Sequence, residues 1–381
     1  MKGSDIFMTQ DVFVEAHISD LHFGVIDPLT EYNILTKQFL DYLDSMNVLD
    51  IVSVNGDIFD HKLMANSDAV MYTMHFMYRL IDICKRKNST LILISGTASH
   101  DADQLKLFYP LVNTRGCDIR IVLEAQFLFV KGKKILCIPE LYNMGEKYYS
   151  KLLFDSGTYD SCYMHGTFKG AIRNKNEHDL DSNREPVFDM EDFRCCLGPI
   201  ISGHNHVNSI YKKHFHYCGS PIRWCFGEEN DKGFLILIHN IHTRQYIVHL
   251  EPIYSFIYST INLDDILNTD PQNIIRHIEN LKNNGIDKLR VIFTKNDVEK
   301  IALIKNYFHN KRDIKIKTDF ELTNIEEKLE EMNTQFTQYS YLFDKNLSAT
   351  EKLVQYINQE ENSTIWTAES LTKFIKELKN I

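Results

Sequence analysis

The chain has 381 residues, 44% of them hydrophobic and 12% aromatic, which is enough to build a full core in two or more folding units and excludes a disordered polymer. A formal charge of -10, from 52 acidic against 42 basic residues, excludes a generic polyanion binder held by bulk electrostatics; contact with nucleic acid must be local or carried by bound cations. Eight cysteines without a C-x-x-C pair read as reduced core thiols of a cytosolic protein, and no apolar stretch has the length of a signal-peptide core or a membrane span.

In chain order, the apolar runs VFVEAHISD, DIVSVNGD, TLILISG, IRIVLEA, QFLFV, KILCIP, YDSCYMHG, GPIISGHNH, IYKKHFHYCGS, GFLILIHN and YIVHLEP read as strands between residue 12 and about 250. Helices are expected over Tyr32 to Met46 and Ser67 to Lys87, so the opening is βαβα with parallel strands. This is too much sheet for one open layer, and an α/β fold with two sheets flanked by helices fits best.

Near Pro252 the pattern changes. INLDDILN, a helix around Ile274 to Leu281, DKLRVIFT, a helix over Val298 to His309 and DIKIKTDF make a smaller α+β unit. Beyond Thr323 the composition turns to Glu, Lys and Gln, with IEEKLEEM, a linker at Phe343 to Leu347 and two short helices. Ser348 with Glu351 matches a capping box, and Leu371, Phe374, Ile375 and Leu378 form an apolar stripe. So short an amphipathic hairpin must dock, either on the body or on a partner. The expected domains are therefore 1–252, 253–324 and 325–381.

The chemistry-bearing residues collect at strand ends. VFVEAHISD leads into Asp20 and His22, DIVSVNGD into Asp57 with Asp60 three further on, LILISG into Ser99, His100 and Asp101, YDSCYMHG into His165, and GPIISGHNH into His204 and His206. Each motif alone is a common turn or a core histidine. Their succession is another matter, because the carboxyl ends of strands in an α/β core form the crevice where ligands bind.

Such a set suits two divalent cations a few Å apart, one carboxylate bridging both while imidazoles and further carboxylates complete each shell. Mixed oxygen and nitrogen donors without thiolate favour manganese or iron, leave zinc open and speak against calcium. The four positive charges would draw phosphate to an acidic protein.

These ordered motifs resemble those of the calcineurin-like metallophosphoesterases, and within them the SbcD branch, the nuclease subunits of double-strand-break repair complexes. The stretch YCGSPIRWCFGEENDKGF, residues 217 to 234, is similar to that branch's G-S-P turn followed by F-G-E-x-x-x-K-G. The resemblance covers residues 12 to about 250, the next 80 in layout and the tail by position. It implies a two-sheet metallophosphoesterase sandwich in α-β-β-α layers, a capping domain that positions DNA, and a helical tail that docks on the coiled-coil base of an SbcC-like ABC-type ATPase. It further implies a homodimer, two bound Mn2+ ions, and hydrolysis of DNA as a duplex-end exonuclease and single-strand endonuclease.

Carried over by residue, the resemblance implies that Asp20, His22, Asp57 and His206 hold one ion, and that Asp57, His165, His204 and a loop ligand hold the other. The family loop is Gly-Asn-His-Asp. This chain has Gly96, Thr97, Ala98, Ser99, His100 and Asp101 instead, two residues longer, with the Ser99 hydroxyl in place of the amide. His100 is expected to assist the leaving group and Asp101 to fix its tautomer. Asp60 and His61 are candidate substrate contacts. Lys169, Arg173 and Lys175, with Lys311, Arg312, Lys315 and Lys317 in the second domain, are candidate phosphate contacts.

Two other functions use the same residues. A phosphatase or cyclic-nucleotide phosphodiesterase would have no use for the 217–234 segment or the tail. A metal-binding scaffold would have lost catalysis with the altered loop.

Overall fold

The computed structural model describes residues 12–101, 103–112, 116–144, 146–154, 157–169, 186–211, 214–243, 245–295, 297–318, 348–360, 367, 369–371 and 373. Arg173, Lys175, the 325–347 segment, Phe374, Ile375 and Leu378 lie outside them.

β1 (Val12–Ile18), β2 (Ile51–Asn55), β3 (Thr90–Ile94) and β4 (Asp118–Val122) lie side by side and parallel. Parallel neighbours need a crossover, and helices supply it. After β1 come α1 (Pro28–Leu35), a π turn (Thr36–Leu40) and α2 (Asp41–Ser45); after β2 comes α3 (Asp68–Lys87). The first helix opens four residues before the expected Tyr32 because Asp27 accepts a hydrogen bond from the Thr30 N–H and Pro28 sits at the first helical position. Ser67 caps α3, and Asn88 closes it in the left-handed conformation.

The second sheet is built from β5 (Gln126–Val130), β6 (Lys133–Ile138), β7 (Ser161–His165), β10 (Ile200–Gly203), β11 (Ser209–Tyr211) and β12 (Phe215–Tyr217), with α4 (Glu146–Phe154) between β6 and β7. β8 (Thr167–Phe168) and β9 (Val187–Phe188) pair with each other alone. β13 (Gly233–Asn240) and β14 (Tyr246–Pro252) return to the first sheet as a hairpin beside β1. The orders are β14-β13-β1-β2-β3-β4 and β11-β12-β10-β7-β6-β5, each containing four parallel strands in a row. The chain is thus a mixed α/β protein with two large mixed sheets, as the alternation of runs and helices predicts.

The period of two along β1 sorts its side chains. Val14, Ala16 and Ile18 join Phe39, Phe76 and Leu80 under the helices, whereas Phe13 faces Ile135, Cys137, Tyr163 and Ile201 of the other sheet. A third apolar layer packs Ile138, Met164 and Phe215 against Tyr149 of α4 and Phe193. Five of the eight cysteines are buried in these layers and none is paired, consistent with core thiols.

Glu15 shares Phe13's face of β1 and is fully buried. Its carboxylate meets Lys133 Nζ at 2.9 Å, His17 Nε2 at 3.1 Å and His239 Nε2 at 3.2 Å. Burial alone would raise its pKa, but the charges of Lys133 and His239 and the His17 bond hold it well below the ordinary range.

β15 (Tyr258–Asn262), β16 (Lys288–Phe293) and β17 (Ile314–Thr318) form a third, parallel sheet with α5 (Pro271–Asn283) and α6 (Val298–Phe308). β15 ends at Asn262 instead of running on through INLDDILN, because the Asn262 side chain accepts the Asp264 N–H at 2.8 Å and turns the chain. Contacts divide the chain into Met1–Phe293 with Asp297–Thr318, and Thr294–Asn296 with Asp319–Ile381. In the second unit, α7 (Ala349–Glu360) begins with the expected capping box, Ser348 N–H to Glu351 at 2.7 Å and Glu351 N–H to Ser348 Oγ at 3.3 Å. Among the described residues no helix is long and apolar enough to cross a membrane.

Replacing Glu15 by alanine leaves Lys133 without its buried partner and is expected to destabilise the fold by about 3 kcal/mol in urea titration at neutral pH. Because the folded pKa lies below the unfolded value of about 4.3, this contribution is complete above that pH. It fades as pH falls through the folded value, so the gap between wild type and Glu15→Ala must narrow in acid.

Candidate metal centre

The loop after β1 and the loop after β2 continue side by side beyond the sheet. Asp20 N–H donates to the Gly56 carbonyl at 3.0 Å, His22 N–H to the Asp57 carbonyl at 3.0 Å, and Phe23 N–H to the Ile58 carbonyl at 2.9 Å. This ladder carries Asp20, His22 and Asp57 to one place. All three have left-handed backbones, with φ of 53°, 51° and 52°, and His204 has φ of 84°. Aspartate and histidine tolerate that region better than most residues, and such strain collects where side chains must be aimed.

The other sheet delivers the remaining groups. His165 ends β7, and its Nδ1–H donates to the Asn55 carbonyl of β2 at 2.7 Å, which turns Nε2 toward Asp57, 3.3 Å away. The His204 N–H after β10 donates to Asp20 at 3.0 Å. Close approach requires glycine: a Cβ on Gly56 would lie 2.2 Å from His165 Nδ1, and one on Gly96 would lie 2.2 Å from Asp57 Oδ1.

Four overlapping groups result, each with donor atoms within 4.8 Å of one another: Asp20, His22 and His206; Asp20, Asp57 and His165; Glu140, His165 and His204; and His22, Asp60 and His100. The expected residues Asp20, His22, Asp57, His165, His204 and His206 therefore converge from four strand ends. Asp60 joins through His22 Nδ1 at 3.6 Å, while His61 is exposed and touches only the rim, 2.9 Å from Asp60. Lys169 is exposed.

The loop after β3 departs from expectation. Ser99 is exposed; it is Thr97 that enters the cluster, its N–H donating to Asp57 at 2.7 Å and its hydroxyl at 3.2 Å. The two extra residues are taken up in a turn in which the His100 and Asp101 N–H groups return to the Thr97 carbonyl. Asp101 does not orient His100 either. It is fully buried and accepts four backbone N–H groups, from Gly96 at 2.7 Å, Ile58 at 2.8 Å, Asp57 at 3.0 Å and Phe59 at 3.2 Å. Burial and the Asp57 charge push its pKa up to about 7, against the opposing pull of the N–H donors. His100 instead has Nδ1 against the Asp60 carbonyl, and its ring stands edge-on to His22 at 4.6 Å.

Two participants were not assigned from sequence. Glu140, just beyond β6, is fully buried with Oε2 3.0 Å from His204 Nδ1. Glu228, inside the quoted F-G-E stretch, binds His206 Nδ1 at 3.1 Å and the Trp224 N–H at 3.1 Å, with Lys232 at 3.6 Å. A carboxylate behind a ligating histidine fixes its tautomer. The Trp224 ring lies edge-on to both His22 and His206, at 4.8 and 4.9 Å.

The donor set fits divalent cations. Neither ring nitrogen of His22 has a hydrogen-bond partner although the side chain is buried, and its nearest carboxylate oxygens stand 3.6 and 3.7 Å away. Orphaned buried imidazole facing carboxylates is costly unless a cation lies between them. Burial opposes its charge, yet His165 and His22 hold Asp57 well below the usual carboxylate range. Against the effect of burial, Asp57 raises His165 well above an ordinary imidazole, and Glu140 raises His204.

No family profile and no curated protein matches the chain. One solved structure aligns over 63% of this chain and 99% of its own at 10% identity with a TM-score of 0.37. Another, a hypothetical protein from Thermus thermophilus, aligns over 63% and 100% at 13% identity with a TM-score of 0.33.

Since His165 and His204 hold protons more tightly than free histidine, cation loading must expel them, and Mn2+ affinity is expected to fall by about tenfold or more between roughly pH 8 and pH 6. Calorimetry in buffers of different ionisation enthalpy measures the release, and heats independent of buffer would contradict it. Asp101→Ala strips the acceptor from four buried N–H groups and is expected to cost about 3 kcal/mol or more in denaturant titration.

Proposed function

We propose that this chain is a metal-dependent phosphodiesterase of the calcineurin-like type, acting on DNA as the nuclease subunit of an SbcCD-like repair or recombination complex. The observation that carries the reading is the convergence of Asp20, His22, Asp57, His165, His204 and His206, remote in sequence, on one cluster of overlapping donor groups where the strand ends of two sheets meet. The 217–234 segment supports the narrower branch, because it supplies Glu228 and Trp224 to that same cluster.

Asp20, His22, Asp57 and His206 would hold one ion, and Asp57, His165 and His204 the other, both most simply Mn2+ given oxygen and nitrogen donors without thiolate. When bound, a pair of such cations lowers the pKa of water and neutralises charge growing on phosphoryl oxygens. The chain's own work is positional. Asp101 and Thr97 fix the Asp57 turn, Asn55 fixes the His165 tautomer, and Glu228 fixes His206. His100 donates Nδ1–H to the Asp60 carbonyl, and as imidazolium it would give its Nε2 proton to the departing sugar oxygen.

DNA would run from this cleft toward β17. Register places Arg290 beside Lys315 on one sheet face, and Lys315 and Lys317 are exposed. Lys311 contributes less, its ammonium being 2.7 Å from Glu279, and Arg312 is exposed beside it. Docking of the tail on an ABC-type ATPase partner is part of this proposal. A homodimer belongs to the same reading.

With Mn2+, the purified chain is expected to degrade linear duplex DNA and nick single strands. Asp57→Ala should abolish this, and His100→Ala should slow it by about a hundredfold to ten-thousandfold with Mn2+ binding retained. Turnover of p-nitrophenyl phosphate without DNA cleavage would make it a small-molecule phosphatase, and bound manganese without hydrolysis of either would make it a scaffold.

A further inference from the structure

Resting on the two-ion reading, we infer that Glu140 is a ligand of the second ion, in the place where the family pattern has a neutral amide. The second site of this chain is then Asp57, His165, His204 and Glu140, two imidazoles and two carboxylates.

The loop after β3 offers only hydroxyls in place of the amide: Ser99 is exposed, and Thr97, whose N–H and hydroxyl both meet Asp57, brings at most a weak neutral oxygen. Glu140 reaches the same spot from the opposite sheet. Its N–H returns to the Ser95 carbonyl at 3.4 Å, which ties the end of β6 to the end of β3. Its Oε2 lies 3.0 Å from His204 Nδ1, 3.4 Å from Thr97 Oγ1 and 3.7 Å from His165 Nε2.

The second oxygen is the telling one. Oε1 of Glu140 is buried and has no hydrogen-bond partner, and the side chain is 0% exposed. No lysine or arginine pairs with it among the described residues; its ion-pair partners are His165 and His204. A carboxylate taken out of water needs compensation, and two imidazoles that are themselves candidate ligands supply it only while they stay protonated. A divalent cation in their midst compensates all three groups at once.

The substitution changes the character of the site. A neutral amide leaves the full charge of the ion to be shared with the bridging carboxylate and the substrate. Glu140 adds a hard anionic oxygen, which tightens binding of an oxygen-preferring ion such as Mn2+ and leaves less positive charge for phosphate.

The test is Mn2+ binding by calorimetry and electron paramagnetic resonance on the chelator-stripped full chain, with melting temperature as a second readout. Wild type is expected to take up two ions. Glu140→Gln, close in shape, should retain one at wild-type affinity and bind the other at least about tenfold more weakly. Stripped Glu140→Gln should melt no lower than wild type, since a buried charge beside Asp57 is gone, but its gain on adding Mn2+ should be smaller. Two ions at wild-type affinity in Glu140→Gln would overturn the assignment and leave the two-ion reading intact. Fewer than two ions in wild type would remove both.

Discussion

Everything in this molecule turns on holding the Asp57 carboxylate, with almost no exposure to water, among other acids. Asp20, Asp101 and Glu140 are all buried around it. Water cannot screen them, and like charges so placed raise one another's cost of ionisation. The structure answers with three kinds of compensation: backbone N–H groups that converge on Asp101, imidazoles that face Asp57 and Glu140, and space between His22 and its carboxylate neighbours that suits a cation.

The scaffold follows from that requirement. Ends of strands from two sheets must approach within side-chain distance, so the residues behind the ligands are small, and Gly56, Gly96 and Gly203 stand where any Cβ would strike a ligand or a carbonyl. Four of the candidate ligands, Asp20, His22, Asp57 and His204, adopt left-handed backbones that a regular strand could not provide. Strain of this sort, on the order of 1 kcal/mol or more per residue, persists because the paired loops after β1 and β2 have no freer alternative. Polar contacts also run back between the sheets, from His165 to the Asn55 carbonyl, from the Asn55 amide to His17 at 3.5 Å, and from His17 to Glu15. The cleft is thus braced by the same layer that buries Phe13 and Ile201.

Much of this was legible in the residues alone. Period and length located the strands, and the two-sheet α/β class followed from their number. Asp20, His22, Asp57, His165, His204 and His206 were legible because each follows an apolar run, and strand ends converge in such folds. Asp101 was misread because adjacency to His100 suggested contact, whereas a tight turn sends neighbouring side chains apart. Ser99 was misread by counting back from His100, whereas of Thr97, Ala98 and Ser99 it is Thr97 that enters the cluster and the other two that are exposed. Glu140 gave no signal: a lone carboxylate after Ile-Pro is an ordinary strand end until the opposite sheet brings His204 to it. Glu228 was inside a quoted motif, but a spacing pattern does not say which of its members faces a histidine 22 residues away.

The charge balance of the cleft explains how an acidic chain can be read as one that acts on a polyanion. The described residues place several carboxylates at the bottom of the cleft and the exposed lysines of β17 elsewhere in the same unit. Without cations the cleft would repel phosphate; with them its sign reverses locally, over a distance shorter than the roughly 8 Å Debye length of physiological salt. On the proposed reading, recognition and chemistry would depend on the same loading event. A chain with net charge -10 would gain little from bulk attraction to DNA, so on that reading its selectivity would have to be set at the metal cluster, by how much positive charge the protein's own carboxylates leave uncancelled.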